Sequence, residues 1–265
     1  MSVAVRARQG LPWFLVRWVL PLALYAGIWQ ALTTLGAVDP AFLPTPVSVG
    51  RAFADLSRSA SFFADLGTTL LRTFGGLACA AAIGVPLGAA MALSPAVDGF
   101  FDPIVKITYM LPKTALVPLL ILWFGIGSTT NVVAVVLSSM LPLVVYTYHG
   151  VRGAPHILIW SARAMGTPPR ALLRHVLLPA ALPDILTGAR IAIAFALVIA
   201  IASEMIASKV GIGKLIFQYG ENGSYDYMFA AVGALVAASS LIDRALVALT
   251  AHLLRWQDAS LREEA

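Results

Sequence analysis

Two ionisable residues are embedded in long apolar runs. Lys113 stands among prolines in LPKTALVPLLILWF, and Glu204 closes the run ending in IASE. If such runs cross a bilayer, a charge inside one marks a functional site by default. Lys113 lies roughly 14 Å into its run at helical rise. There an ammonium either attracts an anion or pairs with a carboxylate or backbone carbonyls, and pairing is the favoured role. Glu204 ends the series Gly188, Ala192, Ala196, Ala200, Glu204, each four apart. It therefore faces a packed helix or a cavity, and hydrogen bonding within the packing is favoured over solute contact. Asn131, Ser138, Ser139, Tyr109, Met110 and Trp123 offer side chains for a passage, but no spacing fixes which face is inward. Enzymatic chemistry finds no residues. His149, His156, His175 and His252 lack ligand spacing and acidic company, so no metal site is expected. The lone Cys79 builds no disulfide within the chain. No G-x4-G-K-[ST] loop is present: Lys214 follows Gly213, but Leu215 comes next. The chain is expected to be no enzyme, to have no catalytic residues and to carry no cofactor.

Composition decides where those runs lie. The 265 residues are 59% hydrophobic and only 12% charged, with mean hydropathy +0.85. Soluble domains carry roughly 25% charged residues, so these charges are too few to cover a water-soluble globule. The chain reads as an integral membrane protein. The net charge of +5 does not point to nucleic acid, because the basic residues fill short gaps between apolar runs as topology signals do.

Six spans are expected, near 16–38, 69–93, 104–124, 131–148, 184–207 and 228–249. The first exceeds the roughly 7–15 residue core of a cleavable signal and reads as retained. The prolines of LPTP mark an extended segment, and 47–63 suits the membrane surface. In the second span Gly76, Ala80, Gly84, Gly88 and Ala92 recur every four residues, a face on which a neighbouring helix packs closely. Pro86 is expected to kink that span. Residues 94–103 read as a short acidic loop. With the N-terminus in the cytoplasm, nine basic residues fall inside: Arg6, Arg8, Arg17, Arg152, Arg163, Arg170, Arg174, Arg255 and Arg262. Four fall outside: Arg51, Arg58, Lys209 and Lys214. That bias sets both termini in the cytoplasm. The chain reads as one transmembrane domain, 1–265: a tail 1–15, four spans within 16–150, a cytoplasmic segment 151–183, two spans within 184–251 and a tail 252–265.

The cytoplasmic segment contains PHILIWSARAMGTPPRALLRHVLLPAALP, which has no acidic residue. A short helix over 155–165 ends at Gly166, a residue free to take positive φ. Thr167 is the expected N-cap and Pro168 the first position of a second helix, 168–177. Arg170 and Arg174 lie one turn apart on it, opposite Leu173, Val176 and Leu177. Pro179 and Pro183 are expected to break the chain before the fifth span.

This segment resembles the EAA loop of permease subunits of bacterial ABC importers, E-A-A-x3-G-x9-I-x-L-P. Gly166 is followed by nine residues, then Val176, Leu177, Leu178 and Pro179. LPTPVSV, the proline-interrupted stretch 111–127 and ASEMIAS…GIGKLI are also similar to that family. The branch that imports alkanesulfonate, taurine, nitrate and pyrimidine-type solutes is nearest. Where the family has Glu-Ala-Ala, this chain has Trp160, Ser161 and Ala162. The resemblance implies an all-α fold like type I importer permeases, with about six transmembrane helices and a cytoplasmic coupling helix. It implies a bacterial inner-membrane location, a second permease copy forming a homodimer, two ABC ATPase subunits and an extracytoplasmic solute-binding protein. The ATPase would contact Trp160, Ser161, Ala162, Gly166, Arg170, Arg174, Leu178 and Pro179, with Trp160 offering an apolar socket in place of a salt bridge. Closure of the ATPase dimer on ATP would draw the two coupling helices together and open the spans outward. The expected path residues are Lys113, Asn131, Ser138 and Glu204. The competing reading is a self-sufficient secondary transporter that couples through Lys113 and Glu204.

Overall fold

The computed structural model describes residues 20–39 and 42–255, all of them helix or connecting turn. The helices are α1 (Leu20–Thr34), α2 (Pro46–Leu56), α3 (Ala60–Leu93), α4 (Pro95–Met110), α5 (Val117–Phe124), α6 (Ser128–Arg152), α7 (His156–Ala164), α8 (Pro169–Leu172), α9 (Leu178–Ala207), α10 (Ile212–Glu221) and α11 (Tyr225–Leu253). The chain divides into two units. Among the described residues, four helices are long and apolar enough to cross a bilayer: α3, α6, the helix running from α8 through α9, and α11. The pair α4 and α5 makes a fifth crossing if counted as one bent span. The residues expected to begin the first span, 16–19, lie outside the described part, as do the N-terminal tail and 256–265.

The first unit holds the described residues up to Ala60, together with Ile216–Ala234. Thr45 caps α2 by accepting from the Ser48 amide at 3.1 Å, and Pro46 follows it in the first turn, where its missing N–H is not needed. The Trp29 indole donates to the Pro44 carbonyl at 3.0 Å and its ring lies 5.9 Å from Phe229.

The second unit, Ser61–Leu215 with residues from Leu235 on, is organised around α6. The small-residue stripe of α3 lies against it. A Cβ on Gly76 would come within 2.6 Å of Val135, and one on Gly88 within 2.4 Å of the Val144 carbonyl. The stripe of α9 packs on the same helix, where a Cβ on Gly188 would meet Tyr146 at 2.6 Å. Both stripes therefore bring backbones together, as their spacing suggested.

Several boundaries differ from expectation. Helix α3 starts at Ala60, nine residues before the expected span. The expected loop 94–103 is helical: Ser94 caps α4, Pro95 follows it, and Asp98 sits in the first turn, where the helix dipole favours a negative charge. The expected third span is an elbow. Leu111 is extended because Pro112 follows, residues 113–116 form a 3₁₀ turn, and α4 and α5 meet at 92°. Helix α10 occupies part of the expected loop 208–227.

Candidate functional site

The segment 155–183 begins with α7, which ends in a Schellman motif. Gly166 takes φ 75°. Its amide donates to the Arg163 carbonyl at 2.9 Å, and the Thr167 amide reaches Ala162 at 3.1 Å. These two bonds are the 5→2 and 6→1 pair that satisfies the last carbonyls of a helix. The next helix starts one residue later than expected, with Pro168 as N-cap and Pro169 in the first turn. Thr167 does not cap it.

Pro179 and Pro183 do not break the chain. Residues 169–207 form one continuous 39-residue helix with a π turn at Leu173–Leu177, where the Leu178 amide reaches back to Leu173. The reason is steric. Pro179 has no N–H, and its ring crowds the carbonyl four residues earlier; widening the preceding turn relieves the clash without ending the helix.

Ala162, Leu172, Leu177 and Ala181 are buried with Ala89, Val151 and Ala154, which anchors the segment. The outer side is open. Trp160 is 66% and Met165 78% exposed, and Trp160 stacks on His156 with centroids 6.0 Å apart. Ser161, Gly166, Arg163, Arg170, Arg174 and Pro179 are also exposed. A cleft of about 390 Å³ lies among Leu158, Ser161, Met165, His175 and Pro179. Of the eight expected ATPase-contact residues, Ala162 is buried and Leu178 half-buried.

A second polar cluster is wholly internal. Glu204 is fully buried and Arg72 is 7% exposed. Arg72 Nη1 donates to Glu204 Oε1 at 2.8 Å, Ser208 Oγ at 2.9 Å and the Val210 carbonyl at 2.9 Å. Its Nε and Nη2 donate to Ser128 Oγ at 3.1 and 2.9 Å. Glu204 Oε2 accepts from Thr69 Oγ1 at 2.7 Å and the Gly213 amide at 3.1 Å. Thr69 Oγ1 in turn accepts from the Ile212 amide at 2.9 Å, and Asp65 Oδ1 from the Gly211 amide at 2.7 Å. One carboxylate and one guanidinium thus tie α3, the start of α6, the end of α9 and the turn 208–213 together. Arg72 was missed from sequence, although it continues the α3 stripe one step back from Gly76.

The four expected path residues are not joined: no hydrogen bond links any two of them among the described residues. Lys113 Nζ donates to the Tyr109 carbonyl at 2.5 Å across the elbow and lies 5.3 Å from that ring's centroid. This is pairing with a backbone carbonyl at a helix C-terminus, where the dipole favours a cation. Asn131 is fully buried, with neither amide atom bonded to protein. Ser138 is buried and donates to the Val135 carbonyl at 3.0 Å. Asp243 is paired with Arg190.

Residues 84–256 match the family described as binding-protein-dependent transport system inner membrane component. The chain belongs to that family. This permease is 32% identical to the taurine transport system permease protein TauC of Escherichia coli strain K12 over 240 residues, 89% of this chain and 87% of TauC. It is 32% identical to the putative aliphatic sulfonates transport permease protein SsuC of the same strain, over 94% of each chain. Its fold is that of a chain from the MetNI methionine ABC transporter in an inward-facing conformation, with TM-score 0.66 and 23% identity over 72% of this permease and 95% of that chain. The permease is therefore the all-α, multi-pass inner-membrane component of an ABC importer, a transport subunit.

Proposed function

We propose that this permease moves a small anionic solute of the sulfonate type, with taurine and aliphatic sulfonates as first candidates, into the cytoplasm at the expense of ATP hydrolysed on a separate chain. The relatives named for taurine and aliphatic sulfonates support the solute class. The observation that carries the coupling role is the outer side of 155–180. There Trp160 and Met165 stand exposed beside Arg163, Arg170 and Arg174, with no carboxylate in the segment. Such a mixed apolar and cationic surface suits a protein partner with an acidic rim around an apolar socket.

In this reading two ATPase subunits seat on the two copies of a permease homodimer, on the cytoplasmic side where both termini lie. A solute-binding protein delivers at the opposite face. The unbroken helix 169–207 gives the coupling a rigid path: movement of 169–177 is carried along α9 to the Glu204 cluster. Glu204 has each oxygen bonded within the protein, which supports a structural part for it over ion coupling.

Reconstitution tests the reading. The permease, its genomically adjacent ATPase and binding protein are placed in proteoliposomes, and taurine and alkanesulfonate uptake is followed with and without ATP. Uptake should require ATP and all three components. Uptake by the permease alone, driven by an ion gradient, would overturn it.

A further inference from the structure

A groove of about 620 Å³ runs between α9 and the middle of α11. Ile193, Leu197 and Ile201 line one side, Leu235, Val236 and Leu246 the other. Val236 is 59% exposed and Val198, also in the groove, 64%. One end is charged. Arg190 Nε and Nη2 donate to the two oxygens of Asp243 at 2.7 and 2.8 Å, yet the two side chains remain 57% and 47% exposed. Arg244 is exposed beside them, with no carboxylate partner among the described residues. Two guanidiniums against one carboxylate leave a net positive charge, and Arg190 keeps further N–H groups unspent.

Arg190 is the residue of the α9 lining nearest to 155–183, twelve residues past the start of α9, and Asp243 and Arg244 lie ten and nine residues before the end of α11. The aliphatic lining runs away from them, roughly 16 Å along α9 from Arg190 to Ile201 at helical rise. A cationic end on an exposed aliphatic groove complements an anionic head on a hydrocarbon chain. Basic pockets between membrane helices on the cytoplasmic side select anionic lipids.

We propose that this groove binds one anionic phospholipid of the cytoplasmic leaflet. An acyl chain lies along Ile193, Leu197, Ile201 and Val236, and the phosphate meets Arg244 and the free N–H groups of Arg190. The Arg190–Asp243 pair sets the positive end without adding a second unbalanced cation. The inference rests on the cytoplasmic placement of 155–183 proposed above, but on neither the solute nor the ATPase.

The full-length permease in non-ionic detergent is titrated with phosphatidylglycerol and phosphatidylcholine, and bound lipid is counted by native mass spectrometry. Phosphatidylglycerol should bind about fivefold more tightly, the worth of one Arg near an anionic headgroup. Arg244→Gln should abolish that preference while leaving the melting temperature in phosphatidylcholine unchanged. Val236→Trp, which fills the apolar part, should weaken both lipids together. Equal binding of the two lipids, or a preference that survives in Arg244→Gln, would overturn the proposal. So would displacement of the lipid by decanesulfonate at lower concentration, which gives the groove to the solute. Efficient disulfide formation between Val236→Cys residues of two copies gives it to the second copy and overturns it equally. The titration needs neither ATPase nor binding protein, so a failure of ATP-driven uptake leaves its outcome separately readable.

Discussion

Replacing Glu204 with Gln changes no volume but should disable the internal cluster. Every group facing the carboxylate donates: Thr69 Oγ1, Arg72 Nη1 and the Gly213 amide. An amide there must turn its NH2 towards one of these donors, and it no longer balances a guanidinium only 7% exposed. Breaking a buried pair by removing one partner costs about 3–5 kcal/mol. For a chain of this size that lowers the melting temperature by on the order of 10 °C. Removing both charges, as in Arg72→Met with Glu204→Leu, should restore most of the loss, because a well-packed apolar pair replaces a desolvated one. Thermal unfolding in detergent measures all three variants, and hydrogen exchange reports the amides of 211–213 released from Asp65, Thr69 and Glu204. Glu204→Gln within a degree or two of the parent refutes the reasoning. So does a double variant whose loss equals the sum of the two single losses, since the residues would then be uncoupled.

Gly88→Ala places a Cβ 2.4 Å from the Val144 carbonyl; backbone cannot yield as a side chain does, so a loss of about 1–3 kcal/mol is expected, whereas Gly99→Ala, with open space around it, should melt with the parent. Gly166→Val forces a β-branched residue to φ 75°, costing at least about 1–2 kcal/mol, and should loosen α7 and weaken ATPase binding, while Gly166→Asn should retain both. Lys113→Gln removes the cation from the elbow carbonyl and should lower solute uptake and stimulated ATPase activity in equal proportion; a loss confined to anion uptake would assign Lys113 to the solute path.

Parts of this architecture are legible from residue spacing. The small-residue stripes of α3 and α9 had to face close neighbours, and both face α6. Gly166 had to end a helix, since the Schellman bonds need a residue at ease with positive φ. Less legible were features that depend on how prolines are absorbed. Pro112 and Pro118 read as interruptions of one span, yet the chain turns through 92° at 111–112, and Pro118 sits in the first turn of the next helix. Pro179 and Pro183 read as breaks, yet the π turn carries the helix past them. Local sequence does not say whether a proline kinks, turns or is accommodated, because packing decides. The Arg72–Glu204 pair joins residues 132 apart, beyond any local pattern. Its one signal was that each residue extends a small-residue stripe, which places both charges in the packed interior where only a partner makes them tolerable.

The central claim, that the ATPase grips the side of 155–180 bearing Trp160, has a direct test. A photoactivatable phenylalanine analogue replaces Trp160, Met165 or, as a control, Val236 in the assembled importer, and illumination is followed by mass analysis of adducts. Adducts to the ATPase at positions 160 and 165, and none at 236, are the expected result. An intact ATPase-bound complex that yields no ATPase adduct at 160 or 165 contradicts the account.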